Sequence, residues 1–200
     1  MKKALLLIML CFVGVSQAQQ APIDGVDARS NPEEFAKQLG SADANVRRRS
    51  AEALAQLAAT DQRKLVEGYQ LQEKNKEVRL ALDWALYRMG RAEMLYRVVD
   101  ELDSGRQDQA IDYLTQLESP DLLYPFLKRI TNAPRINAGL LKALARIGDA
   151  NTLELVKPFR DSHQAYVAEA AEIAHDEIEK RLGETTTSET RTRPRSVGRP

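Results

Sequence analysis

The sequence predicts an all-α fold built from repeated helix pairs. Residues 39–58 (LGSADANVRRRSAEALAQLA) align without a gap on residues 71–90 (LQEKNKEVRLALDWALYRMG), at an offset of 32 residues. No stretch shows the sustained apolar–polar alternation of strands, and an aromatic content of 6% is low for an all-β fold. A repeat of this length is typical of arrays of supersecondary units. We therefore predict about five antiparallel helix pairs between residues 31 and 183.

Three further copies follow the first two. Residues 99–118 keep the apolar spacing, and residues 136–148 keep the closing Ala-Leu and apolar-Gly pairs. Residues 159–179 keep the spacing only in their first half. The copies recur about every 28 to 32 residues, which leaves room for two helices and a short turn in each.

The first helix of each pair begins at recognisable start signals. Asn31-Pro32 and Ser119-Pro120 each place a capping side chain before a proline, whose missing N–H costs nothing in a first turn. Prolines 125 and 158 lie inside first helices, where they should kink or delay the helix. The predicted first helices span Pro32–Leu39, Asp61–Leu71, Arg91–Leu102, Pro120–Thr131 and Asn151–Arg160. Glycines 40, 90, 105, 148 and 183 are predicted to end helices.

The shared pattern is Val-Arg, then small residues, then Ala-Leu and a closing apolar residue with Gly. It resembles the short HEAT-like repeat first associated with phycobilisome lyases, over roughly residues 31–183, here in an exported bacterial member. The resemblance implies a right-handed α-solenoid whose second helices line a concave face. It also implies that Arg47 and Arg79 lie at seams between repeats, with Asp43 and Asn75 as their candidate partners. The fourth copy departs from the pattern, with Ile-Asn in place of Val-Arg.

The resemblance further implies which side chains face the concave groove. These are the residues two, three and six positions after the residue that opens each second helix. The corresponding positions are Arg48, Arg49 and Glu52; Leu80, Ala81 and Trp84; Asp108, Gln109 and Asp112; and Ala138, Gly139 and Lys142.

The second helix of the second copy is apolar on two faces. At about 100° per residue, Leu80, Trp84 and Tyr87 lie opposite a stripe that runs from Val78 to Met89. One interpretation is a partner site, because Trp is enriched among binding hot spots. The other is packing, because a second helix in a repeat array contacts neighbours on several sides.

The sequence contains no pattern typical of catalysis or cofactor binding. It has no Gly-rich phosphate loop, no Gly-x-Ser-x-Gly and no His-Glu-x-x-His. Its two histidines, His163 and His175, lack the spacing and the accompanying ligands of a metal site. We therefore predict a protein that is not an enzyme and that has no cofactor, no metal and no catalytic residue.

The N-terminus has the anatomy of a secretory signal. Lys2 and Lys3 precede an apolar run from Ala4 to Val15, and Ser16-Gln17-Ala18 places small side chains before a cut after Ala18. Lipid attachment at Cys11 is not expected, because the preceding residue is Leu10 rather than a small residue. We predict a signal peptide over residues 1–18, a linker over residues 19–30 and an exported, periplasmic protein.

Charge is distributed unevenly along the chain. The formal net charge is zero, but residues 19–183 carry −4, whereas residues 184–200 hold four Arg and two Glu. An acidic body argues against nucleic-acid binding, which needs a dense basic stripe. Residues 184–200 are rich in Thr, Ser, Arg and Pro and are predicted to be a disordered tail. This tail is a candidate for weak contact with an anionic surface.

These observations favour a non-catalytic module that binds another protein, without an integral membrane span. The candidate partner-binding residues are Trp84, Leu80, Tyr87, Arg48, Arg49, Glu52, Asp108, Asp112 and Lys142. One alternative is small-ligand or pigment binding with lyase-like activity, which the family resemblance suggests. Another is binding of a polyanion or an envelope surface through the Arg-rich tail.

Overall fold

The computed structural model describes residues 31–129 and 133–191. Within these ranges the chain forms ten α-helices and no strand, which confirms the predicted all-α class. The predicted signal peptide, the linker and residues 192–200 lie outside the described residues. The helices are α1 Pro32–Gln38, α2 Ala44–Gln56, α3 Arg63–Gln72, α4 Lys76–Arg88, α5 Met94–Asp100, α6 Gln107–Leu114, α7 Tyr124–Arg129, α8 Pro134–Ile147, α9 Ala150–Val156 and α10 Ala165–Arg191.

Polar side chains fix where several helices begin. The Asn31 carboxamide oxygen accepts a hydrogen bond from the backbone of α1, and Asp43 and Asn75 do the same for α2 and α4. Asp149 and Thr152 form a reciprocal capping box at the start of α9. Each cap satisfies a backbone N–H that has no partner inside the helix.

Prolines shorten the first helices of the later pairs. The stretch Pro120–Leu122 is a 3-10 turn, and α7 begins only at Tyr124, with Pro125 next in the chain. Pro158 lies in a second 3-10 turn, directly after α9. Proline lacks the N–H that an interior helical position needs, so the interruptions lie where the sequence predicts them.

The even-numbered helices pack one against the next. Helix α4 contacts α2 and α6, and α8 contacts α6 and α10. Helices α1, α3, α5 and α9 each pack against the even-numbered helix that follows them. The apolar core lies between these layers and includes fully buried leucines from α2, α4, α6 and α8.

The central part of helix α4 is enclosed on all its sides. It contacts α2, α3, α5 and α6, and every residue from Leu80 to Leu86 is buried. This arrangement explains its two apolar faces, because each face packs against a different set of neighbours. Even the polar residue between the stripes is enclosed: Asp83 is 5% exposed and accepts a hydrogen bond of 2.9 Å from the Gln70 amide. Burial raises the pKa of Asp83 to about 6.

The seam arginines have a different partner from the one that the family resemblance implies. Arg47 donates to both carboxylate oxygens of Glu73, at 2.7 and 3.0 Å, and these bonds lower the pKa of Glu73. Arg79 donates to the backbone carbonyl of Glu73 at 3.0 Å. Asp43 and Asn75 are occupied as helix caps. Glu73 lies just before α4, so a single residue binds the arginines of the first and the second copy.

The last helix is longer than the sequence predicts. Helix α10 runs to Arg191, whereas the glycine pattern predicts an end at Gly183. Its buried side consists of Val167, Ala170, Ala171, Ala174 and Ile178. A single glycine inside a helix costs only about 1 kcal/mol relative to alanine, which does not by itself end a helix that is anchored over several turns.

Candidate partner-binding groove

Trp84 and Leu80 lie in the core rather than on an open surface. Each is 1% exposed, so neither side chain is available to a partner in this arrangement, in contrast to the expectation of an exposed apolar face. The Trp84 ring stacks on Tyr113 of α6, with ring centroids 5.5 Å apart and planes inclined by 4°. It also stacks on Tyr87, at 5.4 Å. Trp84 is buried because α6 supplies an aromatic partner that covers it.

A polar network covers the aromatic stack and joins α2 to α6. The Tyr113 hydroxyl donates to Glu52 at 2.7 Å and accepts from the Gln109 amide at 2.8 Å. Arg48 donates to the same Glu52 oxygen at 3.2 Å. Burial and the Glu52 carboxylate raise the pKa of Tyr113, so its hydroxyl keeps its proton and acts as a donor.

The first half of the candidate site is a depression that lies over this network. It has a volume of about 380 Å³, and its walls come from α2 and α6. Trp84 lines the depression but is only 1% exposed. Most of the residues that line it are polar: Arg48, Arg49, Glu52, Gln56, Gln109, Asp112 and Gln116.

The second half is wider and less filled, and we call it the α8 trough. Its floor is α8 and its walls are α6 and α10, with volumes of about 740 and 410 Å³ for its two parts. Lys142 and Ile173 line both parts, so the parts are continuous. The trough is lined by Gln107, Asp108, Ile111, Asp112, Arg135, Ala138, Lys142, Ala145, Arg146, Tyr166, Glu169, Ala170, Ile173, Glu177 and Arg181.

The two halves meet at Asp112. This residue lines the first depression and the α8 trough, and it pairs with Arg146 at 3.1 Å. A single grooved surface therefore follows the even-numbered helices from α2 to α10. We call this surface the even-helix groove.

Most of the polar residues that the sequence singles out line this groove. Arg48, Arg49 and Glu52 lie in its first half, and Asp108 and Lys142 lie in its second half. Tyr87 does not lie there.

Tyr87 instead lines a separate depression with Ala58, Gly90 and Leu122. The seven-residue step from Leu80 to Tyr87 is about two turns along α4. The Tyr87 ring therefore reaches only the outer end of the aromatic stack.

Sequence reasoning misses the apolar side chains that α10 contributes to the groove. Tyr166 is 43% exposed and Ile173 is 49% exposed, and both line the α8 trough. Their seven-residue spacing on one helix was the available signal, because it puts both on the same side of α10. The fifth copy drifts by a residue after Tyr166, which conceals the equivalence of Ile173 with groove positions in the other copies.

Comparison with known proteins adds no relative. The chain matches no family model and no curated protein. Among the residues that the structure describes, no cluster of three or more His, Cys, Asp or Glu side chains is arranged to hold a metal ion. In the same part of the chain, no helix combines the length and the apolar character needed to cross a membrane.

Proposed function

We propose that this protein is a non-catalytic interaction module that binds a protein partner in the even-helix groove. The observation that carries the proposal is the α8 trough, where exposed Tyr166 and Ile173 lie beside the charged residues Lys142, Glu169 and Glu177. An apolar patch bordered by charges is the usual form of a partner site on a soluble domain.

The proposal includes the finer architecture that the repeats predict. The helix pairs form a right-handed α-solenoid of the HEAT-like type, and the even-helix groove is its concave face. The succession of contacts from α2 through α4, α6 and α8 to α10 supports this architecture. Repeat arrays use their concave surfaces to bind extended partners. Fold alone does not identify a function, so the assignment depends on the side chains in the groove.

We place the protein in the bacterial periplasm, after removal of residues 1–18. The support is the pair of lysines, the apolar run and the small residues up to Ala18. The mass of the protein released by osmotic shock tests this placement. A mature N-terminus at Gln19 is the expected result. A protein that stays in the cytoplasm with its first 18 residues attached would contradict the placement.

Site-specific photo-crosslinking in intact cells tests the binding role. A photoreactive amino acid placed at Arg49, Lys142 or Ile173 should capture the same partner protein, because all three line the groove. Matched controls are Leu71 and Tyr96, which are exposed on odd-numbered helices and do not line the groove. If the groove positions capture nothing specific, or the controls capture the same protein, the proposal fails.

A further inference from the structure

The walls of the α8 trough carry three exposed carboxylates. Asp108 on α6 and Glu169 and Glu177 on α10 are exposed, and their side chains form no hydrogen bond or ion pair with any described residue. They stand on opposite sides of the trough, so an occupant between them meets negative charge from both walls.

Most of the cations in the trough are already engaged. Arg146 pairs with Asp112 at 3.1 Å, and Arg135 pairs with Asp103 at 3.3 Å. Arg181 donates to backbone carbonyls at the end of α8. Lys142 is the remaining cation, and it makes no ion pair within the described part of the chain. With Asp103 counted as the partner of Arg135, the described trough has five carboxylates against four cations, which is a formal net charge of −1.

The trough also offers apolar surface at a defined spacing. Tyr166 and Ile173 lie two turns apart on α10, and the floor between the walls is lowered by the small side chains of Ala138 and Ala145. An occupant that fits both features carries several cationic groups and at least one apolar side chain. Charge complementarity of this kind selects partners and orients them.

The chain itself contains such a segment, directly after α10 in sequence. Residues 192–200, TRPRSVGRP, hold three arginines, no acidic residue and one aliphatic residue, Val197. They follow α10, which forms one wall of the trough. Ile173 lies 18 residues before Arg191, roughly 27 Å along the helix at 1.5 Å per residue. Nine extended residues span about 30 Å, so a segment that turns back reaches Glu177 and approaches Ile173.

We propose that residues 192–200 dock in the α8 trough of the same molecule, with arginines against Glu177 and Asp108. The tail then competes with an external partner for the same surface. That consequence rests on the proposed function of the groove, whereas docking itself does not.

Paramagnetic relaxation enhancement measured by NMR tests the docking directly. A nitroxide is attached at Ser196→Cys in a chain that also carries Cys11→Ala, so that there is one thiol whether or not the leader is removed. We expect the label to attenuate the backbone amide signals of Glu169, Ile173 and Glu177, and to leave Leu71 unaffected. The attenuation should decrease when salt rises from about 0.1 to about 1 M, because the Debye length shortens from about 10 to about 3 Å.

Two controls decide the result. Glu169→Lys with Glu177→Lys should abolish the attenuation, whereas Asp176→Lys with Glu179→Lys makes the same charge change on α10 outside the trough and should preserve it. A mixture of labelled chain and unlabelled, ¹⁵N-enriched chain should show no attenuation. Docking is refuted if the trough signals are unaffected, if the charge reversal in the trough leaves the effect intact, or if the effect appears only in the mixture. If the trough signals are unaffected, docking is refuted but the photo-crosslinking test of the groove still stands. The two proposals can therefore fail separately.

Discussion

The two halves of the even-helix groove differ in the middle helix that each one contains. Helix α4 carries Leu80, Trp84 and Tyr87, and the first two are buried beneath the aromatic stack and the Glu52 network. In the repeat alignment the equivalent positions of α8 are Ala138, Lys142 and Ala145.

These small or charged side chains leave the α8 trough open between α6 and α10. The helices follow the same order in both halves, and side-chain size on the middle helix decides whether the groove is filled or accessible. The first half is therefore expected to contribute stability, and the second half is expected to contribute binding.

Replacing the buried indole gives the largest expected effect. Trp84→Ala should lower the free energy of unfolding by about 3–5 kcal/mol, because it removes a buried aromatic side chain and leaves a cavity beside Tyr113. The matched control is Lys142→Ala, at the equivalent position of α8, for which a change below about 0.5 kcal/mol is expected. Chemical denaturation followed by circular dichroism measures both. Similar losses for the two variants would remove the contrast between the halves.

The enclosed carboxylate of α4 should make stability depend on pH. The pKa of Asp83 is about 6 in the folded chain, against about 3.9 for an unfolded aspartate. The folded state therefore binds the proton more tightly, and the contribution of Asp83 to stability increases as pH falls from about 7 to about 4. Asp83→Asn should stabilise the protein at pH 7.5 by up to about 3 kcal/mol, and the gain should disappear near pH 4.

Unfolding curves for wild type and Asp83→Asn at matched pH values isolate this effect. The comparison is needed because Glu73 and Asp149 have lowered pKa values, and their contributions decrease as pH falls. Asp108→Asn, in the open half, serves as the control and should track the wild type. A gain that stays constant across the pH range would show that burial of the Asp83 charge is not its cause.

Removing one hydroxyl tests the network that covers the filled half. Tyr113→Phe should cost about 1 kcal/mol, because Glu52 keeps its bond from Arg48 but loses its bond from the hydroxyl. Tyr166→Phe removes a hydroxyl from an exposed ring in the trough and should change stability by less than about 0.5 kcal/mol. Thermal unfolding of both variants provides the measurement, and equal shifts would argue against a structural role for the Tyr113 hydroxyl.

The smallest expected effect on stability belongs to the exposed apolar residue of the trough. Ile173→Ser should change the free energy of unfolding by less than about 0.5 kcal/mol, because the side chain is half exposed. It should nevertheless reduce recovery of the crosslinked partner from a photoreactive residue at Lys142. If the variant loses stability but still recovers the partner, Ile173 has a role in the core rather than in binding.

Local structure was predictable because each repeat carries its own signals. The alignment of residues 39–58 with residues 71–90 predicts α2 and α4, Asn31 marks the beginning of α1, and Ser119 marks the 3-10 turn that precedes α7. These features depend on a few neighbouring residues, which the sequence displays directly. The order of the helices followed from the period of the repeat.

Contacts between distant segments were less accessible to sequence reasoning. Arg47 lies close to Asp43 in the chain but pairs with Glu73, 26 residues away. The stripe containing Trp84 fits a binding face and a buried face equally well, and only the position of Tyr113 on α6 decides between them. Ile173 was overlooked because the last copy drifts away from the repeat.

The hydrogen bond between Glu52 and Tyr113 has a consequence for how the chain unfolds. It connects residues 61 positions apart and bridges helices that are separated by α4. In a strictly nearest-neighbour array, terminal units can open one at a time. Here α2 cannot detach without breaking a partly buried contact to α6. We therefore expect α2, α4 and α6 to exchange their backbone amide protons as one cooperative unit. Helix α1, which lies outside this connection, should exchange first.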